Sequence, residues 1–298
     1  MVSILQTALE LGLISALTVL ALFLSYSMLN VCDLSTDGCF TLGAAVGAVV
    51  AIAGHPYLSL PAAMCAGIVS GFVTAILQTK MGIDSLLAGI IVNTGLYSVN
   101  IAVMGGSSLL NMNKTETVFT ALKDAGVGPY KTVVALIAVA LVIVFLALFL
   151  RTRLGLAIRA TGDNPDMVRS SSINPAFTTI VGLCIANAFT ALSGCLLAQS
   201  QKSVSIDIGS GMVTIALASL LIWRAFAPRG GIPLRAVGAV VGAVVFRLVY
   251  AVALRFNMPA FMLKLVSSVI VIIAIAGPYL KSRYPELHRR MTHGKEAR

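Results

Sequence analysis

Between Val133 and Leu150 the chain runs for 18 residues without a polar side chain, a glycine or a proline. As a helix, such a run covers about 27 Å at 1.5 Å per residue, close to the roughly 30 Å hydrocarbon core of a bilayer. A soluble helix keeps a polar face and has no use for it. The whole composition points the same way: 58% of residues are apolar and 11% are charged, and mean hydropathy is +0.96. Soluble domains average about 25% charged residues. The fold class is therefore all-α, a polytopic membrane protein with one transmembrane domain over residues 1–298. The N-terminal apolar stretch lacks the basic lead-in and cleavage site of a signal peptide and reads as a retained span.

Apolar runs predict nine helices: Ile4–Leu29, Phe40–Ala53, Tyr57–Leu77, Ser85–Met104, Thr132–Leu150, Phe177–Ala198, Ser210–Phe226, Leu234–Leu254 and Met258–Leu280. With residues 151–175 placed in the cytoplasm and the sides alternated, 14 of the 21 basic residues fall inside and 5 outside. This positive-inside bias implies an external N-terminus and a cytoplasmic C-terminus. The longest external loop is then 105–131, and 281–298 is a cytoplasmic tail. Phe40–Ala53 is short for a crossing, so it either spans or forms one half of a broken helix. Gly43 with Gly47, and Gly238 with Gly242, repeat a Gly-xxx-Gly spacing that either packs helices closely or marks an old duplication.

The net charge of +10 sits in short segments between spans, which suits a membrane surface and not nucleic acid. Five cysteines form no CxxC pair and have no histidine cluster beside them, so neither a metal site nor a cofactor is expected. No catalytic residue is assigned either. The histidines all fall in loops or the tail, away from any serine nucleophile within a span.

The segment Arg151–Pro175, RTRLGLAIRATGDNPDMVRSSSINP, is the most informative stretch. Leu154, Ala157, Ile158 and Thr161 recur at helical spacing, predicting an amphipathic helix that stops at Gly162. Asp163 then caps a second turn led by Asn164 and Pro165. Read by itself, the segment is either a compact knob that meets a partner or a basic loop that sets topology.

The pattern carried by Thr152, Arg153, Gly155, Arg159, Ala160, Gly162, Asp163, Asn164 and Pro165 resembles the coupling segment of bacterial ABC importer permeases of the branched-chain amino acid and ribose group. The turn CDLSTDGCFTLGAAV at 32–46 and the loop RGGIPLRAVGAVVGAVV at 229–245 are similar to further family segments. DLSTDG, LLAGIIVNTGLYSVN and IAVMGG look most like a subgroup of tryptophan/tyrosine or related amino-acid uptake permeases. Ribose-type relatives carry an additional N-terminal helix, and this chain starts where their second would.

The resemblance implies a homodimer in the bacterial inner membrane, two cytoplasmic ATP-binding subunits gripping the coupling segments, and an external solute-binding protein. It casts Arg153 and Arg159 as ATPase contacts and Gly155 and Gly162 as points of close approach and turning. The chain has no GxxxxGK[ST] phosphate loop, so ATP hydrolysis is expected on a separate subunit.

Asn93, Thr94, Tyr97 and Asn100 form a polar stripe on one helix, and Asn187, Thr190 and Ser193 another, lining a pathway or bonding helix to helix. Asp33 and Asp37 flank a helix start as caps or as a gate. Glu10 is a possible partner for Arg247, which otherwise snorkels outward. The external loop reads as a capped surface helix presenting Glu116, Lys123 and Asp124 to a docking protein or lipid. The rival class, a secondary transporter, calls for midplane acids, and the sequence offers Glu10 alone. A permease for a sugar or nucleoside is the other alternative.

Overall fold

A computed structural model of the chain describes residues 2–113, 115–120, 129–226 and 231–255, with six scattered positions between 265 and 276. Helix α1 (Val2–Leu22) continues as a π-helical turn, Phe23–Met28. It is followed by α2 (Thr36–Ile52), α3 (Ser59–Thr79), α4 (Ser85–Val103), a strand β1 (Leu109–Asn111) and α5 (Tyr130–Phe149). Two short helices, α6 (Arg153–Asp163) and α7 (Pro165–Ser170), lead into α8 (Pro175–Gln201). Strand β2 (Ser203–Ser205), α9 (Met212–Phe226) and α10 (Ile232–Arg255) complete the described order. Among the described residues six helices are long and apolar enough to cross a bilayer, while α2 and α9 are shorter. The predicted helix Met258–Leu280 lies mostly outside the described residues, and the tail, Lys114, Lys123 and Asp124 lie wholly outside them.

Helices α1 and α8 are the most buried of the six long apolar helices. They stand in the centre, where α1 packs against α5, α8, α9 and α10, and α8 against α2 and α3. The outer helices instead turn one apolar face outward, with Val69 and Phe72 on α3, Leu141 and Leu148 on α5, and Val241 and Val252 on α10 exposed. Lipid is the solvent that matches such a face.

Small residues set the central spacing. Gly43 lies against the Ala191 backbone, Gly194 against the Phe40 carbonyl and Gly67 against the Asn187 carbonyl, so a side chain at any of them would overlap backbone. The second Gly-xxx-Gly pair is used alike: Gly238 receives the Trp223 ring and Gly242 the Ser219 carbonyl, joining α10 to α9.

At one end of the bundle β1 pairs antiparallel with β2, Leu110 opposite Val204. This two-stranded sheet joins the 105–131 loop to the connection after α8, and apolar periodicity did not reveal it. At the other end, α6 and α7 fold under α1 and α8.

Candidate translocation pocket and coupling knob

Helices α2 and α9 start at one junction inside the bundle. Cys39 donates its Sγ hydrogen to the carbonyl of Asn187, midway along α8, which fixes the depth at which α2 begins. The Asp37 carboxylate accepts from the backbone N–H groups of Gly211 and Val213, each at 2.9 Å, and so caps α9. From there α2 rises to the sheet end and α9 descends toward the knob end. A helix start carries unpaired N–H groups and a partial positive charge, and a bilayer interior offers no water to satisfy them.

Asp33 serves the other start. Its Oδ1 accepts from Ser35 N at 2.8 Å and Ser35 Oγ at 2.6 Å, and its Oδ2 accepts from Asn187 Nδ2 at 2.7 Å. The side chain is 1% exposed. The expectation that Glu10 is the sole acid near the midplane is thereby corrected: both aspartates lie level with the middle of α8. Charge counting missed this because residues 29–35 form a turn that re-enters the bundle, with no basic residue to mark its depth. Glu10 accepts from Gln6 and Thr132, while Arg247 donates to Ser15 Oγ and toward Met212 Sδ, so Glu10 and Arg247 do not pair.

Beside this junction a polar pocket of about 330 Å³ opens on α4. It lies at the small end of the roughly 300–1,000 Å³ range of small-molecule sites. Asp37, Gly38 and Thr41 come from α2, Asn93, Thr94, Tyr97 and Asn100 from α4, and Ile206, Asp207 and Ser210 from the connection between β2 and α9. The whole α4 stripe predicted from spacing is thus gathered in one place with Asp37. Asn100 Nδ2 donates to the Gly38 carbonyl at 3.1 Å and ties α4 to the start of α2.

The α8 stripe lies elsewhere. Asn187 and Thr190 are buried between helices, Thr190 bonding back to Ala186 and Ser193 to the Ile14 carbonyl of α1. Asp207 and Ser210 were not anticipated. Their signal is the acid and small residues of SIDIGSG, in a segment too short to stand clear of the bundle.

The segment 151–175 forms a two-helix knob. Thr152 caps α6, and Asn164 caps α7 by accepting from Asp166 N and Met167 N, each at 3.1 Å, with Pro165 in the first turn. The expected cap Asp163 is instead the last residue of α6, since the longer helix runs through Gly162. Gly162 does not turn the chain; it packs on the carbonyl of Met28, and Gly155 on the carbonyl of Phe149. Ile158 and Val168 are buried beneath the knob, and the hydroxyls of Thr161 and Thr178 meet at 2.8 Å, fastening it to α8.

Arg153 is exposed and Arg159 half-buried. Leu156 and Met167, 52% and 59% exposed, add apolar surface beside the arginines.

A bundle of apolar helices around an interior polar junction, with a helical knob at one end, is the arrangement of a multi-pass membrane permease. The sequence profile described as "Branched-chain amino acid transport system / permease component" matches residues 4–275, and the chain belongs to that family of ABC-type permeases. It is 31% identical over 266 residues to a tyrosine transport system permease protein of Clostridioides difficile, covering 89% of this chain and 88% of that one. It is also 25% identical over 256 residues to a ribose import permease of Escherichia coli, covering 82% and 75%. A galactose/methyl galactoside import permease of Haemophilus influenzae is 27% identical over 220 residues, covering 72% and 63%. No solved structure matches. The chain is a multi-pass protein of the cell membrane, and relatives of this kind are permease subunits and not enzymes.

Proposed function

We propose that the chain is the permease subunit of an ATP-driven importer that takes an amino acid from an external binding protein. The observation that carries this reading is the knob. Its outward surface of Arg153, Leu156, Arg159 and Met167 makes no side-chain hydrogen bond or ion pair among the described residues, while its inner surface is locked to α1 and α8 through Gly162, Thr161 and Thr178. That geometry suits force entering from a partner. Closure of a pair of ATPases beneath the membrane would move the knobs, and the helices fastened to them would rock between outward and inward states.

Two copies of the chain complete the pathway in this reading. Thr94, Gly95, Tyr97 and Ser98 face out of the bundle from α4, where lipid is a poor neighbour for polar groups. A second copy across a two-fold axis would close the pocket, and one knob per chain suits one ATPase per chain. The basic-residue bias supports an external N-terminus and a cytoplasmic C-terminus. An amino acid is the favoured solute because the tyrosine-type relative covers nearly the whole chain at the higher identity.

The test is Arg159→Glu in the assembled transporter. Inverting one member of a desolvated charge pair costs about 2–5 kcal/mol, so ATPase docking falls more than tenfold and transport is lost. Membrane insertion, followed by protease protection, stays as in the parent. Normal transport by the variant would leave the segment with a topological role only.

A further inference from the structure

We infer that the pocket between α2 and α4 binds the ammonium group of its solute, so that primary amines are accepted and neutral sugars are not. This rests on the pocket being part of the translocation pathway and adds the chemistry that it selects. Two carboxylates line it, Asp37 at its floor and Asp207 at its mouth, with no lysine, arginine or histidine among the lining residues described.

Asn100 supplies an independent sign. It is 1% exposed, its Nδ2 is committed to the Gly38 carbonyl, and its Oδ1 has no partner. With the amide orientation fixed by that bond, the unused atom is an acceptor awaiting a donor.

The hydroxyls add to the excess. Thr41 donates to the Asp37 carbonyl at 3.1 Å and Thr94 to the Ile90 carbonyl at 2.8 Å, so the hydrogens of both hydroxyls are committed and what their oxygens have left is acceptor capacity. Each Asp37 oxygen accepts one backbone N–H and retains capacity for another hydrogen. A primary ammonium brings three donors and one positive charge, matching a site rich in acceptors and negative charge. A sugar hydroxyl donates and accepts alike and leaves the carboxylates uncompensated. Since Asp37 also caps α9, a bound ammonium sits against the residue that joins the two short helices.

The experiment uses the full chain in lipid nanodiscs carrying Thr94→Cys, with the parent chain labelled in parallel as background. The rate of maleimide labelling is measured with L-tyrosine or L-leucine, with the deaminated analogue of each, with D-ribose, and with sodium chloride. At least one of the two amino acids, supplied at about ten times its Kd, is expected to slow labelling about tenfold. Its deaminated analogue, ribose and salt are expected to have little effect, and adding Asp207→Asn, an exposed loop position, should remove most of the protection.

Equal protection by ribose, by the deaminated analogues or by salt alone overturns the ammonium assignment, as does protection by none of the probes. If ribose protects, the pathway reading survives and the selectivity falls. If the cysteine is reached from neither aqueous side, the pathway reading falls with it.

Discussion

Asp33 accepts three hydrogen bonds at a buried position, and its removal would strand the two donors of Ser35. Asp33→Ala leaves Ser35 N and Ser35 Oγ–H without their acceptor and Asn187 Nδ2 with only its bond to the Leu183 carbonyl, at about 1–3 kcal/mol for each group left buried without a partner. The thermal midpoint of the purified chain in detergent is expected to fall by many degrees, and an unchanged midpoint would show that the carboxylate is not holding the α2 start. Both aspartates read from the sequence as lying at the start of α2; Asp33 does bond Ser35 there, whereas Asp37 accepts from the first N–H groups of α9, which standing inside α2 did not foretell. Nor was the depth legible, since the partner Asn187 lies 154 positions away. Asn187 shows the same limit from the other side: helical spacing put it on a polar stripe with Thr190 and Ser193, but spacing cannot say whether a stripe meets solute or another helix.

Among elements, the long apolar helices were readable from hydropathy, while the two short ones owe their lengths to tertiary contacts. Helix α9 starts at Met212, two residues after the predicted Ser210, where Asp37 accepts from Gly211 N and Val213 N. Sheet pairing between Leu109–Asn111 and Ser203–Ser205 was invisible, each strand being three residues long. Glycine spacing was legible, and its use here is close packing. Gly43→Leu would drive a side chain into the Ala191 backbone and force α2 away from α8. Overpacking of this kind costs about 1–3 kcal/mol or more, so the variant is expected to express poorly and to lose its cooperative thermal transition. Gly54→Ala, at the open end of α2 with no atom nearby, has positive φ and should show only the smaller backbone penalty. Equal losses from both would mean that α2 and α8 are not held at backbone contact.

At the scale of the whole molecule, the account links three parts: a knob whose outward Arg153 and Arg159 have no side-chain partner among the described residues, two central helices fixed to it, and a polar junction where two short helices begin. Thr161 and Thr178 make the first link. The Cys39 and Asn187 contacts make the second. Under the proposed function, motion of the knob would be carried through these contacts to Asp37 and the pocket beside it. A secondary transporter would draw its energy instead from an ion bound near those same aspartates. The direct test is uptake of radiolabelled L-tyrosine and L-leucine by proteoliposomes holding the chain with its ATPase and binding protein. The account predicts uptake that needs ATP and the binding protein and that persists when sodium and proton gradients are collapsed. Uptake by the chain alone, without ATP and driven by an imposed ion gradient, would contradict it.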